Sequence, residues 1–258
     1  MHLPAASAAM AGALLLQIGT NYANDYYDHV KGADTDARIG PTRATAAGLV
    51  TPAAMKRAFV WVFAVAFVLG MGLVWRAGWP LLVIGVTSVA CGVLYTGGPR
   101  PLGYLGLGDV LVLAFFGPVA LAGTYYVQAL RWSDAAVIAG LGPGLIATAL
   151  LAVNNLRDAE TDAEAGKRTL AVRFGRRFAK VEYTGALLTA AAVPVALWWG
   201  FGGPAWCLLA TAACLTAAPS ITAVIRAEPG DRLGGALAGT GRLLALYGLL
   251  FAAGWTVG

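Results

Sequence analysis

Two short stretches of this 258-residue chain space oxygen-bearing side chains four residues apart. Asn24 and Asp28 stand in Asn24-Asp25-Tyr26-Tyr27-Asp28, and Asp158 and Asp162 stand in Arg157-Asp158-Ala159-Glu160-Thr161-Asp162. On a helix, residues i and i+4 share a face, so each pair can reach a common ligand. Asp25 falls off that face and is expected to matter less. Stretches 24–36 and 154–164 hold eight of the thirteen acids, and each begins as a long apolar segment ends. Capping and solvation are the bland explanation. A helix C-terminus, however, carries the negative end of the dipole, where a carboxylate is disfavoured by about 0.3–1 kcal/mol. Cations remove that penalty. Oxygen donors without Cys or paired His suit Mg²⁺, which takes few carboxylates and shares its shell with water and phosphate. The pattern points to a divalent metal holding a phosphorylated ligand.

Phosphates need further positive charge. Lys31, Arg38, Arg43, Arg100, Lys167 and Arg168 lie in the same loops as the acids, and Lys167-Arg168, close behind the second cluster, is the favoured pair. Arginine suits bidentate phosphate contacts and lysine point-charge contacts. Each of these residues could equally serve membrane orientation alone. The three cysteines lie within apolar segments and read as packing residues, while His2 and His29 are too far apart to suggest a local metal site.

These residues sit in an unusual setting. The chain is 59% hydrophobic and 12% charged, with mean hydropathy +0.70, whereas soluble domains carry roughly 25% charged residues. A bilayer-spanning helix needs about 20 apolar residues. Eight segments qualify, near 4–24, 55–75, 79–96, 108–128, 135–156, 179–200, 204–225 and 235–256. The expected architecture is one all-α transmembrane domain over 1–258, with a central apolar cavity open to the cytoplasmic side. One acidic motif per half suggests pseudo-repeats near 1–130 and 131–258. Fifteen Lys and Arg fall on the side of the acidic motifs and only Arg76 and Arg131 on the other, with Arg242 inside the last helix. That asymmetry places the motifs in the cytoplasm. The net charge of +5 is thereby explained by topology, and nothing marks a nucleic-acid or protein partner. The N-terminal apolar run lacks the basic start of a signal peptide and is read as a structural helix.

The segments NDYYDHVKGADTD, RIGPTRATAAGLVTP, LYTGGPRPLGYLGLGD, AGTYYVQ and NNLRDAETDAEAGKRTLAVRFG occur in this order. They resemble the UbiA superfamily of intramembrane prenyltransferases, and within it the branch acting on 1,4-dihydroxy-2-naphthoate. The resemblance runs from about residue 10 to the C-terminus. It implies that Asn24, Asp28, Asp158 and Asp162 are metal ligands, with two Mg²⁺ ions bridged by the substrate diphosphate. Asp28, Asp34, Asp158 and Asp162 would be the catalytic carboxylates. Superfamily members with a compact first motif carry a third Asp four residues after Asp28. Gly32 stands there in this chain and Asp34 follows, as in the naphthoate branch.

The implied reaction joins a polyprenyl diphosphate from the bilayer to an aromatic acid, with loss of CO₂, giving demethylmenaquinone in a bacterial-type inner membrane. Tyr95, Tyr125, Tyr126 and Asn155 are candidate pocket residues; interfacial anchoring is the competing reading for the tyrosines. Other acceptors of the superfamily remain open: homogentisate, 4-hydroxybenzoate, a chlorophyllide or a glycerol phosphate. A cation-binding transporter is the second class of function, but it would place its acids near the bilayer midplane. Relatives typically have nine helices, with the first motif ending the second. An additional N-terminal helix is therefore expected, and without it an open groove along segment 4–24.

Overall fold

The structure, a computed structural model, describes residues 1–33, 40 and 42–258. All regular structure among them is helical. Seven stretches are long and apolar enough to cross a bilayer: Leu3–Val30, Pro52–Ala77, Gly108–Ala129, Asp134–Glu164, Leu170–Gly200, Ala205–Arg226 and Gly234–Val257. Trp79–Leu94 is an eighth, shorter apolar helix. These correspond to the eight expected segments. We label the helices α1 (Leu3–Val30), α2 (Pro52–Ala77), α3 (Trp79–Leu94), α4 (Gly108–Phe116), α5 (Pro118–Ala129), α6 (Asp134–Glu164), α7 (Leu170–Gly200), α8 (Leu208–Ala213), α9 (Ala218–Arg226) and α10 (Gly234–Val257).

The helices form two compact units. The first comprises Met1–Gly108, Gly123–Trp132 and Thr161–Arg168. Its core packs Ala23 of α1 against Phe59 and Phe63 of α2, with Tyr26, Tyr27, Val89 and Val93 around them. Gly19 and Gly92 allow this approach: a Cβ on Gly19 would lie 2.7 Å from the Phe63 ring, and one on Gly92 2.5 Å from Thr20 Oγ1. At the other end of α1, the His2 backbone N–H donates to Gln128 Oε1 at 2.8 Å. Arg76 Nε donates to the Val127 carbonyl at 2.8 Å, satisfying an α5 end where Leu130 adopts φ 55°. A basic side chain at a helix C-terminus also complements its dipole. One face of α1 stays open, with Leu3, Met10, Leu14 and Ile18 exposed.

The second unit comprises Asp109–Ala122, Ser133–Glu160 and Thr169–Gly258. Its core joins Ile146, Val153 and Leu156 of α6 to Tyr183 and Leu187 of α7 and to Leu243 and Tyr247 of α10. Helix association in lipid relies on close backbone approach at small residues. A Cβ on Gly140 would lie 2.7 Å from Pro118, and one on Gly144 2.9 Å from Gly117, so α6 packs closely where α4 gives way to α5. Pro143 and Pro194 interrupt α6 and α7. Pro194 has no N–H to give to Ala190, and the freed Ala190 carbonyl instead accepts from Tyr247 Oη at 3.2 Å. Helix α7 also breaks at Gly175, with φ 83° and ψ 170°. Arg242 is exposed and donates to its own helix at Ala238, so it makes no buried ion pair.

Candidate active site

Helices α1 and α6 continue past their apolar segments, so Asn24–Asp28 and Asp158–Asp162 lie on helix, each pair one turn apart. Both helices then end identically. Gly32 takes φ 68°, its N–H donates to His29 O at 3.0 Å, and Ala33 N–H donates to Asp28 O at 2.9 Å. Gly166 takes φ 73°, its N–H donates to Ala163 O at 3.1 Å, and Lys167 N–H donates to Asp162 O at 2.8 Å. Each is a Schellman stop, whose left-handed residue favours glycine. Gly32 thus terminates the helix at the position where a compact motif would carry its third Asp. Asn24-Asp28-Gly32 and Asp158-Asp162-Gly166 are one pattern written twice: an oxygen-bearing pair, then a stop that leaves the second carboxylate in the last turn.

The second stop also turns the chain so that Lys167 reaches back. Its Nζ lies 3.5 Å from Asp28 Oδ2 and 3.9 Å from Asp162 Oδ1. The first unit therefore holds one carboxylate from each motif around a single ammonium. Asp28, only 3% exposed, also accepts from Tyr104 Oη at 3.1 Å and lies 3.7 Å from Arg43. The Tyr104 ring stands beneath two ammoniums, with Lys31 at 5.1 Å and Lys167 at 5.3 Å from its centroid. Asn24 Oδ1 accepts from Thr96 Oγ1 at 2.9 Å.

The loop after α3 is therefore part of the site. A Cβ on Gly97 would lie 2.8 Å from the Tyr27 ring, which explains a glycine in Tyr95-Thr96-Gly97-Gly98. The Gly103 N–H donates to the Tyr95 carbonyl at 2.9 Å, and Arg168 N–H to the Tyr104 carbonyl at 3.0 Å. Asp25 is off the ligand face, as its spacing requires. Its carboxylate instead accepts from the backbone N–H groups of Ala44 and Thr45 at 3.0 and 3.1 Å. That contact fixes the turn that carries Arg43. Arg43 Nε is buried and has no hydrogen-bond partner among the described residues.

In the second unit, Asp158 is clamped by its neighbour. Arg157 Nε and Nη2 each lie 2.6 Å from a different carboxylate oxygen of Asp158. Arg157 is 8% exposed.

The remaining sequence candidates are placed as follows. Lys31 Nζ donates to the carbonyls of Thr96 and Gly98 at 2.6 and 3.0 Å, tying the end of α1 to the loop. Arg100 and Arg168 are exposed, while Tyr95 and Asn155 are half-buried. Tyr125 and Tyr126 are not brought to the carboxylates. They lie in the turn of α5 that Arg76 caps and that meets the start of α1 through Gln128, and Tyr126 stacks on Trp132 with centroids 4.4 Å apart. They stand at the opposite end of α1 from Asn24 and Asp28, tens of ångströms away at about 1.5 Å per residue. Asp34 and Arg38 lie outside the described residues.

Tyr104, Thr96 and Arg157 were missed from sequence. Tyr104 reads as one aromatic residue in a Gly-rich turn, and Arg157 as one more cytoplasmic cation.

The donor set suits a divalent cation. In the first unit, Asn24, Asp28 and Asp162 offer oxygen only, and Lys167 lies beside two of them. Among the described residues no three His, Cys, Asp or Glu side chains converge. Oxygen donors are the kind Mg²⁺ takes, with water and phosphate sharing its shell.

Residues 2–234 match the UbiA prenyltransferase family. The 1,4-dihydroxy-2-naphthoate octaprenyltransferase of Mycobacterium tuberculosis is 36% identical over 244 residues, covering 95% of this chain and 82% of that protein. The Escherichia coli protein of the same name is 43% identical over 195 residues, covering 73% and 63%. That of Haemophilus influenzae is 40% identical, covering 70% and 60%. The chain thus spans about three fifths of the length of the last two and about four fifths of the first. A solved structure described as digeranylgeranylglyceryl phosphate synthase in membranes superposes with a TM-score of 0.62. It covers 97% of this chain and 92% of its own at 14% identity, and so supports the fold alone. With carboxylates from both motifs gathered on helix ends of a membrane-type bundle and the family match spanning most of the sequence, this chain belongs to the UbiA prenyltransferase family.

Proposed function

We propose that this protein transfers a polyprenyl group from a polyprenyl diphosphate to the carboxylate-bearing ring carbon of 1,4-dihydroxy-2-naphthoate, releasing diphosphate and CO₂ and giving demethylmenaquinol, the reduced form of demethylmenaquinone. The names of the relatives similar over most of the chain support the acceptor. The observation that carries the site is Lys167 held against Asp28 and Asp162. Asn24, Asp28, Asp158 and Asp162 would hold Mg²⁺, which when bound neutralises charge on the leaving diphosphate.

The chain's own groups divide the remaining work. Arg43 and Lys167 supply positive charge beside Asp28, and the unpartnered Arg43 Nε–H is a donor suited to a phosphate oxygen. Tyr104 holds Asp28 through its phenol. Thr96 fixes Asn24 by donating to its carbonyl oxygen. Apolar helices would exclude water from the allylic cation until the ring carbon that bears the carboxylate attacks it. The motifs face the cytoplasm of a bacterial-type inner membrane by the charge asymmetry of the loops.

The test is a membrane-fraction assay with dihydroxynaphthoate, prenyl diphosphates of several lengths and Mg²⁺, with products identified by mass. Prenylated, decarboxylated naphthoquinol supports the reading. A product formed only with homogentisate, 4-hydroxybenzoate, a chlorophyllide or a glycerol phosphate moves the protein to another branch of the family.

A further inference from the structure

Lys167 is held unlike Arg157. Arg157 grips Asp158 with two contacts of 2.6 Å, the fork geometry of a locked pair. Lys167 instead sits 3.5 and 3.9 Å from its two carboxylates, well beyond the 2.7–2.9 Å typical of a tight charge-assisted hydrogen bond. A single ammonium thus lies loosely between two acids, the position that suits a small divalent cation. Its backbone is pinned: the Lys167 N–H closes the Schellman stop at Asp162, and Arg168 N–H bonds the Tyr104 carbonyl. The side chain alone is free to swing, on a flexible four-carbon stem. The face of Tyr104 lies beside its Nζ, offering a cation–π resting place.

We propose that Lys167 is a displaceable counter-ion. It neutralises Asp28 and Asp162 in the unliganded protein, then yields that place to a divalent cation and moves to the diphosphate that arrives with it. This inference rests on the metal–diphosphate reading given above. It gives the Asp28 carboxylate, 3% exposed, a counter-charge beside Arg43 in the unliganded protein, since a buried carboxylate without a partner is costly. It also makes the site selective for metal and diphosphate together. Metal alone must evict an ammonium that has no new anion to meet, whereas diphosphate supplies one.

The experiment measures Mn²⁺ binding by electron paramagnetic resonance on the purified chain in nanodiscs, with and without inorganic pyrophosphate. Wild-type protein, Lys167→Met and Lys167→Arg are compared, with circular dichroism confirming that each folds. For wild type, pyrophosphate should tighten Mn²⁺ binding markedly. For Lys167→Met, Mn²⁺ alone should bind about tenfold tighter than to wild type, because the competing charge is gone, and pyrophosphate should add less. Lys167→Arg retains the charge and should resemble wild type without pyrophosphate. If Lys167→Met binds Mn²⁺ alone no better than wild type while wild type still binds it with pyrophosphate, the counter-ion role is overturned and the metal site survives. If wild type binds no Mn²⁺ under either condition, the metal–diphosphate reading and this inference fall together.

Discussion

Lys167 Nζ lies 3.5 Å from Asp28 Oδ2 across 139 residues of sequence. Two helix ends remote in the chain thereby share one charge, and the turn that aims Lys167 is set by the glycine before it.

Asp28→Ala, Asp158→Ala and Asp162→Ala should each lower turnover by about two orders of magnitude or more while the protein still inserts and folds. Their carboxylates meet polar partners and not the apolar cores. Near-normal Mg²⁺-dependent turnover in two of the three well-expressed variants would remove the ligand assignment.

Tyr104→Phe deletes the phenol that donates to Asp28 and keeps the ring beneath Lys31 and Lys167. A hydrogen bond to a charged group is worth about 1.5–3 kcal/mol, so roughly tenfold or more should be lost from kcat/KM. Tyr104→Leu should lose more, because the platform for both ammoniums goes as well. Steady-state kinetics on the two variants checks the order; equal losses would assign the whole effect to the phenol.

Asp25→Ala should not be the mild change its off-face position suggests. It leaves the Ala44 and Thr45 N–H groups without their acceptor, at about 1–3 kcal/mol, and loosens the turn that carries Arg43. A lower Tm together with a raised KM for the prenyl diphosphate is expected. An unchanged KM would detach Arg43 from the phosphate.

Gly166→Ala puts a side chain where φ is 73°. Helix stability should fall by about 1–2 kcal/mol, and turnover should fall beyond that loss of fold because Lys167 is re-aimed. Gly32→Ala is the matched change at φ 68°. Thermal melts and kinetics measured together separate the two effects.

Gly142→Ala would place a Cβ against Tyr247 Oη. Overpacking of this kind costs about 1–3 kcal/mol. The double variant with Tyr247→Phe should recover part of the lost Tm, since removing the hydroxyl makes room while giving up its bond to Ala190. No recovery would place the strain elsewhere.

The helices were legible in the sequence because spanning a bilayer demands runs of about 20 apolar residues, and all eight expected segments appear as helices. The ligand pairs were legible for the same local reason: a spacing of four means one helical face wherever the helix continues. The stops at Gly32 and Gly166 were not read from the sequence, although glycine just past a helix end is their usual signal. What spacing could not reveal was which distant groups meet. Tertiary packing alone brought Lys167 to Asp28, Thr96 to Asn24 and the Tyr104 phenol to Asp28, and it turned Asp25 from a spare acid into the fastening of the Arg43 turn. It likewise kept Tyr126 at the far end of α1, on Trp132. Periodicity along one helix reports a face; the partner of that face depends on how helices far apart in sequence pack, and hydropathy carries no record of that.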